Sequence, residues 1–167
     1  MSLYSIIISN IKNILPIFIC LFLTLISIMP IMPIGYEAIT PLLGVVSMAF
    51  WIVHRPDLMS WPFVIIVGII SDILYGSTFG SAILASITIR WILTKIIHKL
   101  EPINIFHTLF YITLSLLVWL FISIITNSLL YLKFVNLYNS IFQCLISIII
   151  SPIVIFFQLY LLKKITS

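Results

Sequence analysis

The chain has 167 residues, of which 63 % are hydrophobic and 7 % charged, against about 45–50 % and about 25 % in soluble domains. A single core of this size cannot hide such an apolar excess, so lipid is the expected solvent, which excludes a soluble enzyme, a disordered protein and a nucleic-acid module. The formal net charge of +4 does not argue for nucleic acid, because the basic residues are scattered and most fall at the ends of apolar runs.

The elements follow in chain order. Residues 1–12 are mildly amphipathic and end at Lys12, which suits an interfacial N-terminal turn. The first apolar segment covers about residues 14–33, with Pro30 and Pro33 breaking its end. A loop carrying Glu37 leads to a second segment, about 41–53. That segment is short for a crossing that takes about 20 residues. The most polar stretch follows, His54-Arg55-Pro56-Asp57. The third segment is expected at 61–75 and the fourth at 81–97, joined by the tight turn Gly76-Ser77-Thr78-Phe79-Gly80. The fifth is expected at 106–132 and the sixth at 140–162, stopping at Lys163-Lys164.

The apolar runs are continuous and lack the alternation of a lipid-facing barrel. Closed helices are the remaining way to satisfy the backbone in lipid. The expectation is an all-α, polytopic bundle of six transmembrane helices in one integral membrane domain, residues 1–167. Charge sets its orientation. With the N-terminus inside, the inner segments hold Lys12, Arg55, Lys95, Lys99, Lys163 and Lys164, and the outer segments hold Lys133. That bias places both termini in the cytoplasm.

Few residues are out of place in lipid. Asp72 lies about 16 Å along the third helix from Trp61, well inside the segment. A carboxylate there must face the bundle interior, a wet cavity or a partner. Arg90 sits about 10 Å from the inner end of the fourth. It either snorkels to the inner interface or pairs with Asp72, and a substrate contact is the third option. Gly68, Asp72, Gly76 and Gly80 are spaced by four, so they fall along one helical face until the turn intervenes. Glycine on that face lets a neighbouring backbone come close. The face is either a packing seam of a helical hairpin or a docking seam polarised by Asp72. Arg55, Pro56 and Asp57 form a solvated connecting loop or a cytoplasmic contact point.

Cys20 and Cys144 sit in apolar runs far apart and read as small buried hydrophobes. His54, His98 and His107 lack metal-ligand spacing. Trp51, Trp61 and Tyr75 fall near segment ends and suit interfacial anchors, and Trp91 lies deeper. Neither a nucleophile–base pair nor a phosphate-binding loop is present, so no catalytic, cofactor or metal site is expected.

The ordered set Arg55-Pro56-Asp57-Leu58, then Gly68-x3-Asp72-x3-Gly76-x3-Gly80, preceded by Pro41-Leu42-Leu43 and Trp51, resembles the rod shape-determining protein MreD family. The resemblance is carried by about residues 41–90; after about residue 100 it is one of hydropathy alone. It implies a non-enzymatic protein of the bacterial inner membrane, in the complex that elongates rod-shaped cells. The partners it implies are an MreC-like bitopic protein, and MreB, RodA and a penicillin-binding transpeptidase directly or indirectly, as the machinery of lateral-wall peptidoglycan synthesis. It also implies a six-helix fold similar to the substrate-binding subunits of energy-coupling-factor vitamin transporters. The expected function is therefore a membrane scaffold. Its rival is a vitamin-uptake subunit with Asp72 and Arg90 as polar anchors of a pocket.

Overall fold

The computed structural model describes residues 3–28, 40–76, 78–97, 104–131 and 137–166. These form helices α1 (Leu3–Ile28), α2 (Leu43–His54), α3 (Trp61–Tyr75), α4 (Ser81–Ile97), α5 (Ile105–Tyr131) and α6 (Leu137–Thr166). Among the described residues there is no strand. Two stretches are long and apolar enough to cross a membrane, Ile105–Leu129 in α5 and Tyr138–Lys164 in α6. The apolar stretches Ile14–Ser27, α2 and α3 are shorter.

Two helix starts differ from the sequence expectation. The N-terminal residues expected to make an interfacial turn are the first turns of α1, which is continuous from Leu3. Lys12 and Asn13 interrupt the hydropathy without interrupting helix propensity. Helix α6 likewise begins at Leu137, ahead of the apolar run, and continues past Lys163-Lys164 to Thr166. Pro30, Pro33, Glu37, His98, Lys99 and Lys133 lie outside the described residues.

Helix α2 is the centre of the packing. Every residue from Gly44 to Val53 is buried, and α2 packs against α1, α4, α5 and α6. A helix apolar on all sides must be covered on all sides. Trp51, expected as an interfacial anchor, is 0 % exposed, with its ring edge-to-face against Phe50. The covering of α2 is what removes it from the interface. Trp61 and Trp91 remain exposed.

At about 18 Å, α2 is shorter than a hydrocarbon core of about 30 Å. Its amino end is closed from within the bundle. The Leu42 N–H donates to Ser147 Oγ of α6 at 2.8 Å, and the Leu43 N–H donates to Ser27 Oγ of α1 at 3.3 Å. Each serine passes its own hydrogen on, Ser147 to the Gln143 carbonyl and Ser27 to the Leu23 carbonyl. Midway along α2, Ser47 Oγ meets Cys20 Sγ of α1 at 3.2 Å and accepts from Gln158 Nε2 of α6. Gly44 lets α1 approach, since a Cβ there would collide with the Thr24 side chain.

Helix α6 runs through Pro152. Proline cannot donate to the carbonyl four residues back. The Ser151 hydroxyl does so instead, reaching the Ile148 carbonyl at 2.8 Å. Large apolar side chains such as Phe106, Phe110 and Phe121 of α5 and Ile149, Ile153 and Phe156 of α6 cover the outside of the bundle.

Candidate functional site

The motif residues gather at the two ends of the α3–α4 hairpin. Helix α3 begins after Ser60 with Pro62 in its first turn, where a missing N–H costs nothing. It ends at Gly76, whose left-handed φ of 59° is the usual glycine stop. Gly80, at φ 101°, immediately precedes α4. Its carbonyl accepts the first helical bond, from the Leu84 N–H at 3.0 Å. Gly80 therefore stands at the cap position, where Ser, Thr, Asp or Asn normally supplies a side-chain acceptor.

Asp72 supplies that acceptor from one helix away. Its Oδ2 accepts the Gly80 N–H at 2.8 Å, and its Oδ1 accepts the Ala82 N–H at 2.8 Å and the Ser81 hydroxyl at 3.1 Å. The carboxylate is 2 % exposed. Negative charge at a helix amino terminus is favourable twice over, through the N–H groups and through the helix dipole. One turn earlier, Gly68 makes the approach possible. A Cβ at that position would lie 2.8 Å from Ile83 Cα and 3.2 Å from the Ala82 carbonyl oxygen. Gly68 and Asp72 thus hold the first turn of α4 against one face of α3. Near this end, Thr78 Oγ1 reaches Asn127 Oδ1 of α5 at 3.5 Å.

The other end joins the loop 55–60 to α4. The Arg55 N–H continues the helical pattern to the Trp51 carbonyl at 2.8 Å, and the Leu58 N–H bonds the Arg55 carbonyl at 3.2 Å. Arg55 and Pro56 are half-buried and Asp57 is exposed. Arg90 reaches this loop. Its Nη1 donates to the Pro56 carbonyl at 3.5 Å, the long limit of a hydrogen bond. Its guanidinium lies 5.1 Å from the centroid of the Trp61 ring, within cation–π range. Asp72 and Arg90 do not form the pair that was one option for them. Asp72 takes the amino end of α4, and Arg90 takes the α2–α3 loop near the other end of the hairpin. The carboxylate has nearer, fixed N–H donors, and the long Arg side chain reaches away from the bundle centre.

The buried hydroxyl and amide groups around α2 were not singled out from the sequence. Ser27, Ser47, Ser147 and Gln158 stand alone in apolar runs, where a serine reads as a small packing residue. The usable signal was Gln158, too costly in an apolar run without a partner. Cys20 and Cys144 are both buried and free. Among the described residues no group of three His, Cys, Asp or Glu side chains is placed to hold a metal ion. His107 is exposed, and His54 stacks on Phe50 in its own helix.

The family model for rod shape-determining protein MreD matches residues 8–165. The chain belongs to the MreD family. No curated protein and no solved structure matches the chain. MreD proteins are membrane proteins of rod-shape determination, associated with the MreC and MreB system and not known as enzymes. The match runs well beyond the motif-bearing stretch and takes in α5 and most of α6. In this MreD-family chain the Gly68-x3-Asp72-x3-Gly76-x3-Gly80 series is spent on building one helical hairpin.

Proposed function

We propose that the chain is a six-span protein of the bacterial cytoplasmic membrane with both termini inside, acting as a scaffold subunit of the cell-elongation complex. It holds an MreC-like bitopic protein and, directly or through it, the MreB, RodA and penicillin-binding transpeptidase machinery of lateral-wall peptidoglycan synthesis. The observation that carries this reading is the family match along nearly the whole chain. Three features support it. The outward faces of α5 and α6 are apolar. The amino end of the short, central α2 is satisfied by Ser27 and Ser147, so α2 need not reach water at that end. The basic residues favour one side of the membrane.

In this reading the α3–α4 hairpin, set by Gly68, Asp72, Gly76 and Gly80, is a rigid element that presents a lateral surface to a partner helix. Arg55, Pro56 and Asp57 lie at the cytoplasmic end and are available to a cytoplasmic partner. The vitamin-uptake alternative needs Asp72 and Arg90 to converge on one ligand. Their separate engagements count against it. Depleting the protein in its rod-shaped host is the test. Rounding of the cells with loss of lateral-wall incorporation is expected. Normal rods with a defect in the uptake of one vitamin would favour the alternative.

A further inference from the structure

The α3–α4 hairpin is short beside the helices that follow it. Helix α3 is closed at both ends, by Ser60 before its first turn and by Gly76 after its last, and has 15 residues, about 22 Å of axis. Helix α4 follows Gly80 and carries Lys95 in its last turn. Those two residues are also about 22 Å apart along the axis. The apolar stretches of α5 and α6 run to 25 and 27 residues, about 38 and 40 Å.

Two tryptophans and two cations mark one end of the hairpin's apolar face. Trp61 opens α3, Trp91 lies one turn before Lys95 on α4, and both rings are exposed. The Arg90 guanidinium lies 5.1 Å from the Trp61 ring centroid, and Lys95 Nζ lies 3.9 Å from that of Trp91. Tryptophan beside a cation suits headgroup level. At the other end the chain turns through Gly76 and Gly80. Between these marks the exposed side chains are Ile66 and Ile73 on α3 and Leu84 on α4. The face therefore matches a hydrocarbon layer of about 22 Å, against about 30 Å in a typical bilayer. Tilt fits a long helix such as α5 or α6 to that bilayer, but it only shortens the reach of α3. A face that is too short leaves the lipid to adjust.

We infer that the α3–α4 face is a lipid-binding surface that thins the bilayer beside it and selects short acyl chains, while α5 and α6 accept chains of ordinary length. The occupant is phospholipid acyl chain, in the protein free of its partners. A partner helix docked on this face takes the place of mismatched lipid, so the mismatch favours that docking. The inference rests on the membrane reading above.

The experiment uses the full chain, reconstituted alone in vesicles of equal parts dimyristoleoyl and dierucoyl phosphatidylcholine. One of the two lipids is brominated at its double bonds, which makes it a tryptophan quencher. Trp61 and Trp91 are replaced by Phe to clear the exposed background, Trp51 and Trp119 being buried. A reporter is then placed at an exposed position midway along a helix, Ile66→Trp on α3 or Leu117→Trp on α5. With bromine on the short chain, Ile66→Trp should be quenched roughly twofold more strongly than Leu117→Trp, and with bromine on the long chain the order should reverse. Ile73→Trp takes the place of Ile66→Trp if that variant does not fold. Equal quenching of the two reporters in both mixtures overturns the thinned surface and leaves the membrane reading standing. No quenching of either reporter in either mixture overturns the membrane reading, and the lipid surface with it.

Discussion

Asp72 caps a helix it does not belong to. Its Oδ2 accepts the N–H of Gly80 at 2.8 Å, at the position where α4 begins and where glycine offers no acceptor of its own. The two residues form one device. Gly80 adopts a φ of 101° that side chains rarely tolerate, and the lost cap is replaced from the preceding helix. Removing the acceptor takes a hydrogen-bond partner from the Gly80 and Ala82 N–H groups and from the Ser81 hydroxyl. Asp72→Ala should therefore lower stability by about 2–4 kcal/mol. Asp72→Asn keeps one acceptor oxygen and should lose less. Thermal unfolding of the purified protein in detergent checks both, and an unchanged midpoint in Asp72→Ala would remove the capping account.

Gly68 tests the close approach itself. Its missing Cβ would sit 2.8 Å from Ile83 Cα, and backbone cannot step aside as a side chain can. Gly68→Ala should cost about 1–3 kcal/mol by forcing α3 and α4 apart. Gly76→Ala is the informative comparison. That position has open space but a φ of +59°, so its cost of about 1–2 kcal/mol should come from the backbone alone. A larger side chain separates the two. Replacement by Val should worsen the loss steeply at 68 and only modestly at 76, read again as unfolding midpoints.

The amino end of α2 gives a third test. Ser147 is the hydrogen-bond partner of the Leu42 N–H. The Leu43 N–H also reaches the Pro41 carbonyl, at 2.9 Å, so Ser27 is partly redundant there. Ser147→Ala should cost about 1–2 kcal/mol and Ser27→Ala about half of that. Equal losses would show that the two serines do not divide the work as their geometry states.

Orientation is testable with single cysteines, because Cys20 and Cys144 are buried and leave little background. Asp57 is exposed on the α2–α3 loop, and Phe79 is 75 % exposed on the α3–α4 turn. A membrane-impermeant thiol reagent should label Phe79→Cys in intact spheroplasts and Asp57→Cys only after lysis. The reverse pattern would invert the topology drawn from the Lys and Arg distribution.

Helices were the legible part of this molecule. A long apolar run in lipid has few other ways to satisfy its backbone, and Gly76 and Gly80 mark the α3–α4 turn by residue type alone. What stayed hidden is long-range or local exception. The Asp72 partners lie eight to ten residues ahead, across a turn, where helical periodicity says nothing about contact. Trp51 was misread because tryptophan near an apolar segment's end suits an interface, and only the covering of α2 by other helices removes it from one. Hydropathy marks the apolar stretch from Ile14, whereas α1 itself is continuous from Leu3, because helix formation does not require an apolar run.

The scaffold role proposed for this MreD-family chain requires that it be held to other membrane proteins of the elongation machinery. The direct measurement is a mild-detergent pull-down of the tagged full chain, with co-purified proteins identified by mass spectrometry. The account predicts recovery of a single-span, coiled-coil protein together with wall-synthesis enzymes. Recovery of a membrane coupling subunit with its ATPases, and none of the wall machinery, would contradict it.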